Sequence, residues 1–181
     1  MPRNIEIKVR LEAGIEALLP RAQAVAPGAP VRIEQDDTFF HVPHGRLKLR
    51  QFGDGTAELI HYHRADSAQA RASDYVRVPV SDPAGLREAL ARGCGLLGRV
   101  RKHRWLLLKA NTRIHLDRVE GLGDFMELEV VLQDGQSDAA GVATAQALMV
   151  ALGLQSAPPL AGAYLDLLAA GAPASVATRP G

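Results

Sequence analysis

A single cysteine, Cys94, in a chain of 181 residues leaves no partner for an internal disulfide, so the fold must be held by its core rather than by cross-links. A reducing, cytoplasmic address is expected, with Cys94 itself in a packing role. Aromatic residues make up only 4%, with four Phe and one Trp, a poor supply of stacking platforms for a single-stranded nucleic acid. No apolar run is long enough to span a bilayer, and the first residues, charged by Arg3, Glu6 and Lys8, lack the apolar core of a leader peptide. Neither membrane nor nucleic acid is an expected partner. An excess of one charge is also missing: 21 Lys and Arg face 20 Asp and Glu, for a net charge of +1. Any polyanion must therefore be recognised locally. The glycine-rich loops that cradle phosphates are absent, both Gly-x-x-x-x-Gly-Lys-Ser/Thr and a Gly-x-Gly-x-x-Gly after a strand. No local Ser-His-Asp or Cys-His grouping points to a covalent nucleophile.

What the chain has in quantity is charge on every second residue of short strands. It begins at Asn4-Ile5-Glu6-Ile7-Lys8-Val9-Arg10 and returns at Arg46-Leu47-Lys48-Leu49-Arg50, Lys102-His103-Arg104 and Glu127-Leu128-Glu129. A strand points alternate side chains to opposite faces, so each run builds one charged wall and one apolar wall. One parity collects Glu6, Lys8 and Arg10; Arg46, Lys48 and Arg50; Glu58, Tyr62 and Arg64; Lys102 and Arg104; Arg113, His115 and Asp117; and Phe125, Glu127 and Glu129. The other parity is largely aliphatic, as in Ile5, Ile7 and Val9 or Met126, Leu128 and Val130.

Period-2 segments at about 3–11, 31–42, 46–52, 56–64, 73–80, 97–109, 111–119 and 124–133 predict eight strands. Short turns such as Gly53-Asp54-Gly55 and Gly121-Leu122-Gly123 favour antiparallel hairpins. Helices are expected over 13–25, kinked or split by Pro20, after Ser81-Asp82-Pro83, after Ser137-Asp138 and over 160–168. With 47% hydrophobic residues the chain can build one core, so the expectation is an α+β fold. It comprises a single domain over 1–170, an eight-stranded antiparallel β-tunnel with covering helices, and a flexible tail over 171–181.

A charged lumen needs a counterpart. Buried charges cost several kcal/mol each, and one opposite charge at contact returns only about 4 kcal/mol at an effective dielectric near 20. Something anionic is therefore expected among the cations. Arginine forks and lysine point charges suit phosphate, whereas Glu6, Glu127, Glu129 and Asp117 form an all-oxygen cluster of the kind Mg²⁺ or Mn²⁺ prefers. Two opposite linings in one cavity describe a metal-bound polyphosphate. The bland alternative, a solvated face of weak ion pairs, fits one strand but not several. His61 and His63 sit on the parity opposite Glu58 and lack a third nitrogen ligand, so no zinc site is expected there.

These residues resemble the CYTH superfamily, the triphosphate tunnel metalloenzymes that include class IV adenylyl cyclases and thiamine triphosphatases. The family opens on Glu-x-Glu-x-Lys, where this chain reads Asn4-Ile5-Glu6-Ile7-Lys8. Gly45-Arg46-Leu47-Lys48-Leu49-Arg50, Val100 to Arg104, Arg113 to Asp117 and Gly121 to Glu129 follow in an order similar to the class IV cyclase-like branch. The resemblance implies a triphosphate held by Lys8, Arg46, Arg50, Lys102, Arg104 and Arg113, with Lys48 and Arg64 on the same face by parity. It implies a divalent metal on Glu6, Glu127 and Glu129, with Asp117 added by its parity, and catalysis by Glu6, Lys8, Glu127 and Glu129. Asn4 departs from the pattern: its amide oxygen can coordinate a metal but brings no negative charge.

The expected function is that of a Mg²⁺- or Mn²⁺-dependent enzyme. Water attacking the terminal phosphorus of tripolyphosphate, ATP or thiamine triphosphate gives hydrolysis; the ribose 3′-hydroxyl attacking the α-phosphorus of ATP gives cyclic AMP and pyrophosphate. The rivals are a non-catalytic polyphosphate or nucleotide sensor and, more remotely, an RNA-binding barrel. A homodimer is a candidate assembly.

Overall fold

The computed structural model describes residues 3–64 and 71–171. Eight strands form along the chain: β1 (Arg3–Arg10), β2 (Val31–Phe40), β3 (Arg46–Phe52), β4 (Ala57–Arg64), β5 (Arg71–Pro79), β6 (Leu96–Lys109), β7 (Thr112–Val119) and β8 (Gly123–Val131). They close in the order β1-β5-β4-β3-β2-β6-β7-β8, every pair antiparallel, with β8 returning to β1. The eight expected strands are all present, within a few residues at each end. Of the expected tail, residues 172–181 lie outside the described residues.

Because the charged parity faces the lumen, the main core lies outside the barrel. Ile5, Ile7 and Val9 of β1, Ile114 and Leu116 of β7, and Met126, Leu128 and Val130 of β8 are covered by helices α1 (Ile15–Val25) and α3 (Asp138–Ala151), which contribute Ile15, Leu18, Ala22, Ala145 and Leu148. The expected break at Pro20 does not occur: α1 runs continuously through it. Its start is fixed from a distance, since the Ile15 N–H donates to the Asp124 carboxylate of β8 at 3.0 Å, and burial of one face outweighs the hydrogen bond that proline forfeits.

Helix α2 (Pro83–Cys94) starts as its sequence dictates, with Asp82 accepting from the Gly85 N–H at 2.9 Å. It lays Leu86 and Leu90 over Leu49 and Phe40 but buries none of its own residues, and Cys94 is exposed rather than packed. The last helix, α4 (Tyr164–Gly171), begins later than its apolar residues predict, because the Leu160 N–H is taken by the Lys8 carbonyl and Asp166 accepts from the Ala163 N–H at 2.7 Å. Tyr164 and Leu165 then pack on Phe39, Val100, Val119 and Phe125. At Gly98 a Cβ would stand 2.5 Å from Leu165, so glycine on β6 makes room for this helix. No helix among the described residues is long and apolar enough to cross a membrane.

Candidate active site

One cavity of about 300 Å³ runs inside the barrel. Register places its walls rung by rung. On the β1-β8-β7 side Glu6, Glu129 and Arg113 lie directly across from one another, and the next rung holds Lys8, Glu127 and His115. On the β2-β3-β4 side Asp37, Arg50 and Glu58 share a rung, followed by Phe39, Lys48 and Ile60. Lys102 and Arg104 of β6 complete the lining, with Tyr75 and Arg77 of β5 and Tyr164 of α4.

Glu6, Lys8, Lys48, Arg50, Lys102, Arg104, Arg113, Glu127 and Glu129 therefore share one lumen. Two residues expected beside them do not. Arg46 lies one rung beyond, where its guanidinium grips both Asp166 oxygens at 2.8 and 3.0 Å. Asp117 is fully buried behind the wall; Arg104 donates to both its oxygens at 2.6 Å, and Lys102 and Tyr164 donate at 3.1 and 3.0 Å. With four charge-assisted or hydroxyl hydrogen bonds already accepted and no exposed surface, Asp117 serves as an anchor for two cations rather than as a metal ligand. Arg64 lies on β4, with its side chain outside the described ones.

Strand parity alone did not bring out several lumen residues, Asp37, Tyr75 and Tyr164 among them. Asp37 of β2 is buried, accepting from Arg50 at 2.7 and 2.6 Å and from Lys48 at 2.9 Å. The signal was present as Gln35-x-Asp37-x-Phe39, hidden by Glu34 and Asp36 on the opposite face, where Asp36 pairs with Arg99. Tyr164 is another case: its ring centroid stands 4.1 Å from the Lys8 Nζ and 4.9 Å from that of Lys102, and no strand periodicity could reveal a helix residue.

The electrostatics follow from burial and crowding. Burial pushes the Asp37 carboxyl up, but Arg50 and Lys48 outweigh it and hold it well below the usual range. Glu127 is likewise held low against its burial by Lys8, Arg104 and Lys102. Burial, reinforced by Arg104, brings Lys102 down to about 7, and burial with Arg50 beside it brings Lys48 down to about 8. Burial and Arg104 also keep the His115 imidazole neutral. The main cations of the lumen each have a carboxylate of the protein itself at hand: Lys48 and Arg50 have Asp37, Lys102 and Arg104 have Asp117, Arg113 has Glu129 at 3.0 Å, and Lys8 has Glu127 at 3.7 Å.

The acidic wall has the donor chemistry of a divalent-cation site. Its donors, Glu6, Glu127 and Glu129, are all oxygen, and the Asn4 Oδ1 is buried with no hydrogen-bond partner among the described residues. An orphaned carbonyl oxygen beside carboxylates suits a hard cation. Among the described residues no three His, Cys, Asp or Glu side chains already converge into a shell, and His61 instead meets the His44 carbonyl at 3.0 Å.

Residues 2–164 match the profile of the CYTH domain family. The chain belongs to this family. Among solved structures, the PH1012 protein of Pyrococcus horikoshii is similar at 25% identity and a TM-score of 0.81, covering 91% of this chain and 99% of its own. A candidate adenylate cyclase of Vibrio parahaemolyticus shares the fold at 20% identity and a TM-score of 0.74, over 92% and 97% of the two chains. So does a candidate adenylyl cyclase of Hippeastrum reported to have a dominant triphosphatase activity, at 15% identity and a TM-score of 0.68, over 94% and 96%. No curated protein matches. CYTH proteins process triphosphates with divalent metals, and the cavity of this member has the two linings that such a ligand requires.

Proposed function

We propose that this CYTH protein is a divalent-metal-dependent triphosphatase. One observation carries the reading: a single lumen with Lys48, Arg50, Lys102 and Arg104 on one side and Glu6, Glu127 and Glu129 on the other. Arg50, Arg104 and Arg113 grip phosphate oxygens through paired hydrogen bonds, and Lys8, Lys48 and Lys102 add compact positive charge as the transferred group leaves. The acidic wall would hold Mg²⁺ or Mn²⁺, which when bound supplies Lewis-acid polarisation of the phosphoryl group. Asp37 and Asp117 hold the arginine forks in place before ligand arrives, so little ordering remains for the moment of binding. Tyr164 closes the wall beside Lys8 and Lys102, restricting water around the phosphate chain.

A second reading, cyclisation of ATP, is favoured by a vestibule lined by Phe39, His41, Tyr62, His63, Arg46 and Asp166. It meets the phosphate cavity at Phe39 and Tyr62 and offers the flat apolar surface an adenine would need. The deciding experiment incubates tripolyphosphate, ATP and thiamine triphosphate with Mg²⁺ or Mn²⁺ and assays phosphate, pyrophosphate and cyclic AMP. Phosphate release supports the triphosphatase and cyclic AMP the cyclase. A rise in melting temperature with ligand but no product on any substrate supports a sensor; no rise and no product defeats the site altogether.

A further inference from the structure

We propose that the open mouth of the barrel is a hydrocarbon subsite, where an apolar lip of Val31, Ile33, Phe52, Leu106 and Leu108 takes the organic group of an oligophosphate ester. The inference rests on the phosphate-binding reading above and names the class of substrate that reading would serve. It begins from how the inner wall changes along each strand. On β2 the lumen face reads Phe39, Asp37, Gln35, Ile33 and Val31, and on β6 it reads Val100, Lys102, Arg104, Leu106 and Leu108. Both runs are apolar at each end and polar between.

The two apolar ends are treated differently. Phe39 and Val100 are 3% and 2% exposed, sealed by Tyr164 and Leu165 of α4. At the opposite end Val31 and Leu108 are 57% and 62% exposed, although they share the lumen face with Leu106 and Arg113, which lie directly across from them. A single exposed leucine says little, but these two continue a partly buried strip of Ile33, Phe52 and Leu106 that already lines the cavity. One end of the barrel is roofed by the chain itself, and the other offers the same kind of surface to a ligand.

The join to the phosphate cavity fixes what that ligand is. Arg50 is followed on its face by Phe52 and Arg104 by Leu106, while Arg113 stands across from Leu108. Three guanidiniums that suit phosphate oxygens therefore each border an apolar side chain toward the mouth. This order of surfaces matches a molecule whose charged part is a phosphate chain and whose ester group is apolar. Four of the five lip residues are aliphatic and none carries a hydrogen-bonding side chain, so the lip recognises hydrocarbon rather than the edge of a base. The flat rings of Phe39 and Tyr62 lie at the other end, where Arg46 and Asp166 are joined.

The test measures by calorimetry, with Mn²⁺ present, the affinity of the methyl, butyl and hexyl esters of imidotriphosphate, whose nitrogen bridge resists hydrolysis, against unesterified imidotriphosphate. Each methylene that leaves water should tighten binding about two- to fourfold, so the hexyl ester is expected to bind at least about 30-fold more tightly than the methyl ester. Val31 and Leu108 are exposed, so replacing both, Val31→Ser with Leu108→Ser, leaves the core untouched. That double variant should weaken the hexyl ester at least about fivefold and unesterified imidotriphosphate less than about twofold. Affinity that does not rise with ester length, or a double variant that treats the hexyl ester as wild type does or loses both ligands equally, overturns the hydrocarbon subsite and leaves the phosphate cavity standing. Failure of unesterified imidotriphosphate itself to bind overturns the phosphate-binding reading, and the subsite with it.

Discussion

Raising the pH should loosen the grip on triphosphate by neutralising Lys102 and Lys48, and the structure gives the size of the effect. Lys102 is brought from 10.5 to about 7 by burial and by Arg104, with Arg50 adding and Asp117 and Asp37 opposing. Lys48 is brought to about 8 by burial and Arg50. A bound triphosphate stabilises both ammonium forms, so above these values binding must take up protons. Each proton taken up weakens affinity about tenfold per pH unit, or about 1.4 kcal/mol. From pH 7 to 9 that amounts to about 50-fold through Lys102, already half deprotonated at pH 7, and about tenfold more through Lys48. The free protein should respond with the opposite sign. Between pH 7 and 10.5 its unfolded chain carries protons on these lysines that the folded chain lacks, so their contribution to stability rises with pH through that window and is flat below it. Calorimetric titration with tripolyphosphate at pH 8, in two buffers of different ionisation enthalpy, reads proton uptake directly. Lys102→Arg keeps the charge at every accessible pH, so it should remove about one proton and flatten the affinity profile, separating the lysine from the titration of the ligand itself. Equal heats in the two buffers, or an unchanged profile in Lys102→Arg, would refute the reasoning.

Asp117→Asn should lower stability by about 3–5 kcal/mol in urea unfolding, since it leaves Arg104 and Lys102 buried without their counter-charge; a loss under 1 kcal/mol would show that Asp117 is no anchor. Glu127→Gln should collapse kcat with binding of metal-free tripolyphosphate retained, whereas Arg50→Ala should weaken that binding about tenfold or more by removing a charge-assisted contact. Steady-state kinetics and direct binding distinguish the two, and a reversed pattern would exchange the roles of the two linings.

The barrel was legible because strand parity is a local property: Glu6 and Lys8, Lys48 and Arg50, and Glu127 and Glu129 face the lumen for the same reason that Ile5, Leu49 and Leu128 face away. Pairing across strands was not legible. Arg46 obeys the parity of Lys48 and Arg50 yet is claimed by Asp166, a helix residue 120 positions away, and Asp117 obeys the parity of Arg113 yet is enclosed by β6 and α4. Pro20 misled for a related reason, since propensity weighs one missing hydrogen bond and does not see the buried face of α1 or the cap from Asp124. A sequence pattern shows which wall a side chain joins, whereas the counter-charge it meets there depends on register and on α4.

That distinction changes how the lumen recognises an anion. Among the described residues seven lysines and arginines line the cavity against five acidic side chains, so the protein does not hold a bare cationic hole. The internal carboxylates Asp37 and Asp117 already satisfy the strongest forks, and an incoming phosphate gains only the difference between its contacts and those it shares or displaces. A triphosphate entering alone would carry the nearly balanced lumen to a large negative charge in a poorly solvated space. The same ligand with a divalent cation would bring its compensation along, on the side of the cavity lined by Glu6, Glu127 and Glu129. Charge balance therefore predicts that a divalent cation tightens triphosphate binding beyond what the cationic wall achieves alone, and that longer phosphate chains, whose several contacts can compete with Asp37 and Asp117, bind better than a single phosphate.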